Sequence, residues 1–299
     1  MTHEPVLLTK VIEFMYSAGF AGKTVRIADC TLGLGGYSEK ILHEFPNAQV
    51  YAIDRDLRAV ELSRVRLFDY DSRFKAIHGN FGEVGEILGE LAPFDALVFD
   101  LGVSNMQLAE AERGFSFQSD GPLDMRMDPQ GGNRTAADVI NDLSAAELNE
   151  VFWLHGEERF SRQIARGIEE RRKRKGPLKT TGELVELIRE ILPAPVQRKM
   201  GAHPARRVFQ ALRIYVNDEL GELEAALASI IDISSKRAIV AIVSYHSLED
   251  RMVKHTFRAW EKEKNLGEVL TKHPVLPDPD EIERNYKARS AKLRVFRFL

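Results

Sequence analysis

The sequence predicts an α/β fold: a parallel sheet covered by helices on both faces and interrupted by an all-helical insertion. Three observations carry this. Short apolar runs alternate with helix-periodic segments through the first third of the chain. The alternation stops between Met106 and Ile231, where only helical signals occur, and strand-like runs return towards the C-terminus.

Taken in order, Val25 to Ala28, Val50 to Ile53, Phe74 to Ile77 and Phe94 to Phe99 read as buried strands. Helical segments at Glu39 to Phe45, Asp56 to Phe68 and Phe81 to Leu91 separate them. The strands end near Asp29, Asp54, His78 and Asp100, and an open parallel sheet binds ligands outside such carboxyl ends. In the insertion, Ser144-x-x-Glu147 and Thr180-x-x-Glu183 have capping-box spacing, which satisfies two otherwise unpaired N–H groups at a helix start. A further helix is expected from about Pro204, with Val208, Leu212, Val216, Leu220, Leu223 and Leu227 in one stripe. Ala238 to Val243 and Leu293 to Phe298 restore the strand pattern. The expected division is 1–105 with 232–299 for the sheet domain and 106–231 for the helical insertion.

Between the first strand and the first helix the chain reads Asp29-Cys30-Thr31-Leu32-Gly33-Leu34-Gly35-Gly36-Tyr37-Ser38. Glycines let a backbone approach a ligand, and the first N–H groups of the following helix point at its polar end. Asp54, 21 residues after Gly33, stands at the tip of the second strand, where a carboxylate can accept from ribose hydroxyls. Ser38 occupies the place where a dinucleotide fingerprint has its third glycine. On these residues alone NAD and S-adenosylmethionine fit about equally, and a tight turn without a ligand is the third reading.

A chain of 299 residues with 44% hydrophobic content can bury a substantial core. The longest purely apolar run, Ala238 to Val243, has six residues, against the ~20 of a membrane span. Met1-Thr2-His3-Glu4-Pro5 leads into an apolar segment without the basic region of a leader, so a cytoplasmic protein is expected. Cys30, the single cysteine, excludes an internal disulfide or a cysteine-cluster metal site. The eight histidines follow no His-Glu-x-x-His pattern, so no metal is expected. A net charge of -3 argues against nucleic-acid binding through overall charge and leaves a local basic face open. Arg171-Arg172-Lys173-Arg174-Lys175 offers one, with Arg159, Arg162 and Arg166 before it and Arg198, Lys199, Arg206, Arg207 and Arg213 after. Cations at a helix C-terminus are favoured by its dipole, so the run reads either as a solvated face or as a grip on phosphates.

Longer blocks go beyond fold logic. They are Pro5-Val6-Leu7-Leu8, the glycine turn, Asp100-Leu101-Gly102-Val103-Ser104 with Gln107, Glu112-Arg113-Gly114-Phe115-Ser116-Phe117, and Asp120-Gly121-Pro122-Leu123-Asp124-Met125-Arg126-Met127-Asp128. His203-Pro204-Ala205-Arg206-Arg207-Val208-Phe209-Gln210, Ser244-Tyr245-His246-Ser247-Leu248-Glu249-Asp250-Arg251 and Ala288-Arg289-Ser290-Ala291-Lys292-Leu293-Arg294 follow in the same order. With these blocks the chain closely resembles, from residue 3 to about 295, the RsmH (MraW) family of S-adenosylmethionine-dependent methyltransferases. That family acts on the N4 amine of a cytidine in the decoding region of 16S ribosomal RNA.

The resemblance implies a Rossmann-like class I methyltransferase sheet, S-adenosylmethionine as cofactor and 16S rRNA, within the small ribosomal subunit, as partner. It puts cofactor binding on Gly35, Gly36, Tyr37, Asp54, Phe81, Asp100 and Gln107, to which the glycine turn itself adds Gly33. Tyr37 stands where the family usually has His, Tyr245 where it has Phe, and Asn285-Tyr286-Lys287 where Asn-Pro-Arg is common.

A cytosine amine is a poor nucleophile, so catalysis rests on alignment and on accepting a hydrogen bond as the nitrogen rehybridises. Asp100, Asp124 and His246 are the catalytic candidates, Asp100 either for that bond or for holding the cofactor's amino group. Leu101-Gly102-Val103-Ser104 lacks the Pro-Pro-aromatic of DNA amine methyltransferases, leaving Phe115, Phe117 or Tyr245 to stack on the base. Arg113, Arg126, Arg251 and Arg289 are expected at the RNA near the pocket, with the run containing Arg171 and Arg172 further out. Gly114 to Gly132 reads as a lid, and a homodimer is compatible with the chain. The competing readings are a methyltransferase for another nucleic acid or a protein, an NAD-dependent oxidoreductase, and a non-catalytic ribosome-assembly factor.

Overall fold

The computed structural model describes residues 5–299. The first four, on which the leader reading and the start of the resemblance fall, lie outside the described residues. In chain order the elements are α1 (Leu8–Ser17), β1 (Val25–Asp29), α2 (Gly36–Glu44), β2 (Ala48–Asp54), α3 (Leu57–Arg66), β3 (Phe74–His78), α4 (Val84–Leu88) and β4 (Phe94–Asp100). Then come α5 (Asn105–Ala109), α6 (Ala136–Asp142), α7 (Ala145–Gly156), α8 (Ser161–Lys175), α9 (Thr181–Ile191), α10 (Ala194–Lys199), α11 (Arg206–Asn217) and α12 (Glu219–Ile233). β5 (Ser234–Ser244), α13 (Ser247–Lys262), β6 (Gly267–Val269), α14 (Pro279–Arg284) and β7 (Lys292–Phe298) complete the chain. They form two compact units, one through Gly102 and again from Leu220 to Leu299, the other Val103–Glu219.

The first unit holds a seven-stranded sheet in the order β3-β2-β1-β4-β5-β7-β6. β1 to β5 are mutually parallel, while β7 runs antiparallel to both β5 and β6, so β7 alone is reversed. This is the Rossmann-like sheet that the resemblance implies. The apolar runs are continuous because both faces are covered. Ile27, Val50, Ala96, Val98 and Ala241 point to one core, closed by Val11, Met15, Ile41 and Val60 of the helices. Their neighbours Ala28, Ile53, Leu97, Phe99, Val240 and Ile242 point to the other, closed by Leu88, Leu227, Ile230, Val253 and Phe257. Register places Asp54 opposite His78, and Asp100 opposite Val243, so the strand ends form one polar edge.

Both expected capping boxes are present, at Ser144 with Glu147 and at Thr180 with Glu183. The C-terminal strand β7 lies antiparallel between β5 and β6, and β6 has three residues, too few for a periodic signal. Two expectations need correction. The stripe from Val208 to Leu227 is two helices, broken at Asp218, whose φ of 48° is left-handed. Aspartate tolerates that conformation better than most side chains. The units therefore divide at Gly102/Val103 and Glu219/Leu220 instead of at 105/106 and 231/232. Leu223, Ala226, Leu227 and Ile230 of α12 pack into a sheet core, which is why α12 goes with the sheet.

In the helical unit, Leu148, Phe152, Ile164, Ile168, Leu184, Ile188, Phe209 and Leu212 form the core. The 114–132 segment departs from a lid: Phe115, Leu123, Met125 and Met127 are part of that same core. Asn217 fastens it, donating to Met125 O at 2.7 Å and accepting from Met127 N–H at 2.8 Å. A Cβ on Gly114 would stand 2.2 Å from the Pro122 carbonyl oxygen, and its φ of 72° is left-handed, so only glycine closes this turn.

Candidate functional site

In the sheet unit the glycine turn is held from three sides. Asp29, fully buried at the end of β1, accepts from Ser38 Oγ at 2.7 Å and from Thr31 N–H at 3.3 Å. Gly33 N–H donates to Asp54 Oδ2 at 2.7 Å, and its carbonyl accepts from Ser63 Oγ at 2.8 Å. The turn then enters α2 through Gly35, left-handed at φ 80°. A Cβ on Gly33 would meet no protein atom within 4 Å, so this stretch of backbone is open to a ligand, whereas one on Gly36 would lie 2.5 Å from Pro5 Cγ. Tyr37 is buried and its hydroxyl donates to the Val6 carbonyl, so it tethers the N-terminal segment to the turn.

Asp54 also accepts from Asp56 N–H at 2.8 Å through Oδ1. Asp100, at the end of β4, accepts from the Tyr245 hydroxyl at 2.6 Å, and its own N–H donates to Thr31 Oγ1 at 2.6 Å. Phe81 lies in a short turn after β3, half-buried and edge-on to Phe99 with ring centroids 6.0 Å apart. Asp54, Asp29 and Asp100 thus end three successive strands of the sheet.

Burial is the largest influence on all three. It lifts Asp29 and Asp54 to about 6 and Asp100 to about 7, against the opposing pull of their hydrogen bonds. An edge of carboxylates raised in this way favours a ligand that brings hydroxyl and N–H donors and positive charge. A sulfonium, an ammonium group and a ribose meet that description.

The sequence matches the family model described as the MraW methylase family over residues 1–299. The chain belongs to the MraW methylase family. The ribosomal RNA small subunit methyltransferase H of Brevibacillus brevis is 43% identical, with 89% of this chain and 90% of that protein covered. Among solved structures, an rRNA methylase from Streptococcus thermophilus aligns with a TM-score of 0.45 at 11% identity, covering 100% and 99% of the two chains. The N-methyltransferase NodS of Bradyrhizobium japonicum, in complex with S-adenosyl-L-homocysteine, aligns with a TM-score of 0.41 at 9% identity, covering 97% and 85%.

In this MraW methylase His246 is the N-cap of α13: its Nδ1 accepts from Glu249 N–H at 3.4 Å. Glu249 Oε2 in return accepts from Tyr245 N–H at 2.8 Å and His246 N–H at 3.2 Å. Nδ1 is thus engaged by the cap, and Nε2 lies 3.1 Å from Glu249 Oε1. On the sequence, His246 is expected either in catalysis or, with equal weight, in a structural role holding the loop after the fifth strand, and the cap favours the structural one. Serine or threonine usually signals such a box, so His-x-x-Glu gave no sequence cue.

In the helical unit of the methylase, Asp124 is engaged by Arg126 through both oxygens, at 2.9 Å from Nε and 2.7 Å from Nη2. Its carboxyl is held below the usual range: burial, the largest single influence, raises it, and the hydrogen bonds and charge of Arg126 together outweigh that. A carboxylate so committed is a weak proton acceptor and a good anchor for the loop. Arg113 donates to the carbonyls of Arg126 and Met127 at 3.1 and 2.9 Å, within the same loop. Gln107 forms a capping box with Ser104 at the start of α5. Phe115 is buried, and Phe117 stacks on His203 at 4.7 Å, so neither ring presents two open faces.

The basic run also divides. Arg172 donates to the carbonyls of Ile140 and Leu143, closing the C-terminal end of α6, and Arg171 donates to Gly176 O. These two expected RNA contacts are thus engaged inside the unit, whereas Lys173, Arg174 and Lys175 are exposed. On the sheet unit, Arg251 and Arg289 are exposed. The signals missed in the sequence are Thr31, Ser38, Glu249 and the Tyr245 hydroxyl, all of which act on the carboxylate edge.

Proposed function

We propose that the chain transfers a methyl group from S-adenosylmethionine to the N4 amine of a cytidine in the decoding region of 16S ribosomal RNA. The observation that carries this reading is the row of raised carboxylates, Asp54, Asp29 and Asp100, beside the open backbone of Gly33 in a methylase family member. The 43% identical relative is named for the small-subunit RNA, which supports the substrate.

The residues suit the cofactor. Asp54 would accept from the ribose hydroxyls, the Gly33 to Gly36 backbone would flank the ligand, Phe81 would cover the adenine, and Asp100 would receive the α-ammonium group. When bound, S-adenosylmethionine would supply a methyl carbon made electrophilic by its sulfonium, to be transferred to the amine with loss of one amine proton. Alignment supplies the main catalytic effect, which can reach about 7–11 kcal/mol in well-oriented systems. We further propose the assembled small subunit as the substrate form and the cytoplasm as the place of action; among the described residues no helix is long and apolar enough to cross a membrane.

The test is transfer of labelled methyl from S-adenosylmethionine to small subunits that lack the modification, followed by nucleoside analysis. Label in N4-methylcytidine at one decoding-region position is the expected result; cofactor binding without labelled cytidine would overturn the substrate.

The divided basic run gives a second expected outcome. Replacing Lys173, Arg174 and Lys175 by Gln lowers the slope of log affinity against log salt by about 0.7–0.9 for each phosphate that is no longer neutralised, with only a small fall in melting temperature from the lost dipole and i,i+4 contacts of these exposed cations. Arg172→Ala acts chiefly on the melting temperature, lowering it because two carbonyls at the end of α6 lose their donor. Salt titrations of RNA binding alongside thermal melts separate the two.

A further inference from the structure

We propose that Tyr245 is a positioning residue for the methyl transfer: its hydroxyl occupies one oxygen of Asp100 and thereby turns the other, Oδ2, to the reacting end of the cofactor. The inference rests on the proposed reading of Asp100 as the acceptor for the α-ammonium group.

The geometry is specific. Tyr245 Oη lies 2.6 Å from Asp100 Oδ1, across 145 residues of sequence. A phenol can donate to a carboxylate or accept from a carboxylic acid. Burial and the Asp100 charge push the Tyr245 hydroxyl well above its ordinary range, so it keeps its proton and acts as the donor. The ring cannot swing away easily. Its backbone N–H is tied to Glu249 Oε2, and the Lys287 ammonium sits 5.9 Å from the ring centroid. On the other side, Thr31 Oγ1 fixes the Asp100 backbone. With backbone and Oδ1 both fixed, the direction of Oδ2 follows.

The same bond sets the charge of Asp100. Facing it are Tyr245 from the loop between β5 and α13, Glu249 from the first turn of α13, Lys287 from the turn at Tyr286–Ser290, Asp29 from β1 and Tyr37 from α2. Among these, the Tyr245 hydrogen bond is the largest influence that favours the ionised form, ahead of the Lys287 charge; Asp29 and Glu249 act with burial against it. Removing the hydroxyl leaves burial and the two neighbouring carboxylates less opposed. Asp100 then takes up its proton at higher pH, and an ammonium ligand loses its counter-charge at higher pH too.

Tyr245→Phe keeps the ring, its packing and the Lys287 contact, and removes only the donor. The measurement is the dissociation constant of S-adenosylmethionine by calorimetry between pH 5.5 and 9, for the wild type, Tyr245→Phe, Asp100→Asn and the double variant. The wild type is expected to lose affinity as pH falls through about 7. In Tyr245→Phe that midpoint moves up by about 1–2 pH units, the loss of one hydrogen bond to a charged group. In the Asp100→Asn background, Tyr245→Phe shifts nothing further. An unmoved midpoint in Tyr245→Phe, or an equal shift in the Asp100→Asn background, overturns the inference while leaving the cofactor reading intact. A wild type that does not bind S-adenosylmethionine at any pH overturns the reading on which it rests.

Discussion

Asp100→Asn is expected to make the unliganded protein more stable at pH 8 while lowering kcat/KM for S-adenosylmethionine roughly 100-fold, the scale of losing one side of a buried, hydrogen-bonded charge pair. The stability effect follows from linkage. The Asp100 carboxyl sits at about 7 in the folded chain against an ordinary 3.8, so the folded state holds its proton where the unfolded state has released it. Such a group stabilises fully only below the unfolded value and loses that contribution as pH rises through about 7. At pH 8 the folded protein carries an ionised carboxylate in a poorly solvated place. Asparagine cannot ionise and still offers Oδ1 to the Tyr245 hydroxyl, so the unfavourable ionisation disappears and the bond stays. The melting temperature at pH 8 should rise by a few degrees, and the gain should shrink as pH falls towards 4. Thermal melts of the two proteins across that range, read beside steady-state kinetics, check both halves. A variant that is neither stabilised at pH 8 nor impaired in cofactor use removes Asp100 from the site.

Asp54→Asn should weaken cofactor binding by about 10–100-fold for a different reason. The two oxygens of Asp54 already accept from two backbone donors, Gly33 N–H at 2.7 Å and Asp56 N–H at 2.8 Å. Asparagine has one carbonyl oxygen, so its amide N–H₂ must face one of those donors. Either the glycine turn or the start of α3 then loses an acceptor, at about 1–3 kcal/mol. The ribose also loses a carboxylate and meets an amide with half the accepting capacity. Because the native group is pushed up to about 6, wild-type affinity should fall below that pH, and the variant should show a flatter acid limb there. Calorimetry at pH 5.5 and 7.5 decides: equal dissociation constants for the two proteins at pH 7.5 would take the ribose away from Asp54.

Both substitutions concern residues visible in the sequence, because an aspartate ending an apolar run marks the end of a parallel strand. The role of each is only partly local. Gly33 and Asp54 sit 21 residues apart and meet because β1 and β2 pair in register. Asp29 and Ser38 are separated by one turn, yet their bond answers a question the glycine pattern raised: serine replaces the third glycine because its hydroxyl satisfies a buried carboxylate. His246 and Asp124 lie in motif-dense segments, where Asp124 reads as chemistry and His246 equally well as chemistry or as scaffold. Their neighbours, Glu249 N–H and the Arg126 guanidinium, tip both towards scaffold.

What the sequence alone determined was whatever depends on near neighbours: the alternation of strands and helices, the glycine turn, the capping boxes at Ser144 and Thr180, and the aspartates at strand ends. Each of these is fixed within a few residues by backbone geometry, side-chain period or a local hydrogen bond. What only the tertiary structure decided was whatever depends on a partner far along the chain. β7 lies antiparallel between β5 and β6, α12 joins the sheet because its apolar face fits a core there, and Arg172 leaves the basic run to close α6. Tyr245 reaches Asp100 from 145 residues away. Periodicity says which face of an element is buried; which surface it is buried against, and hence which polar groups meet there, is set by packing across the whole chain.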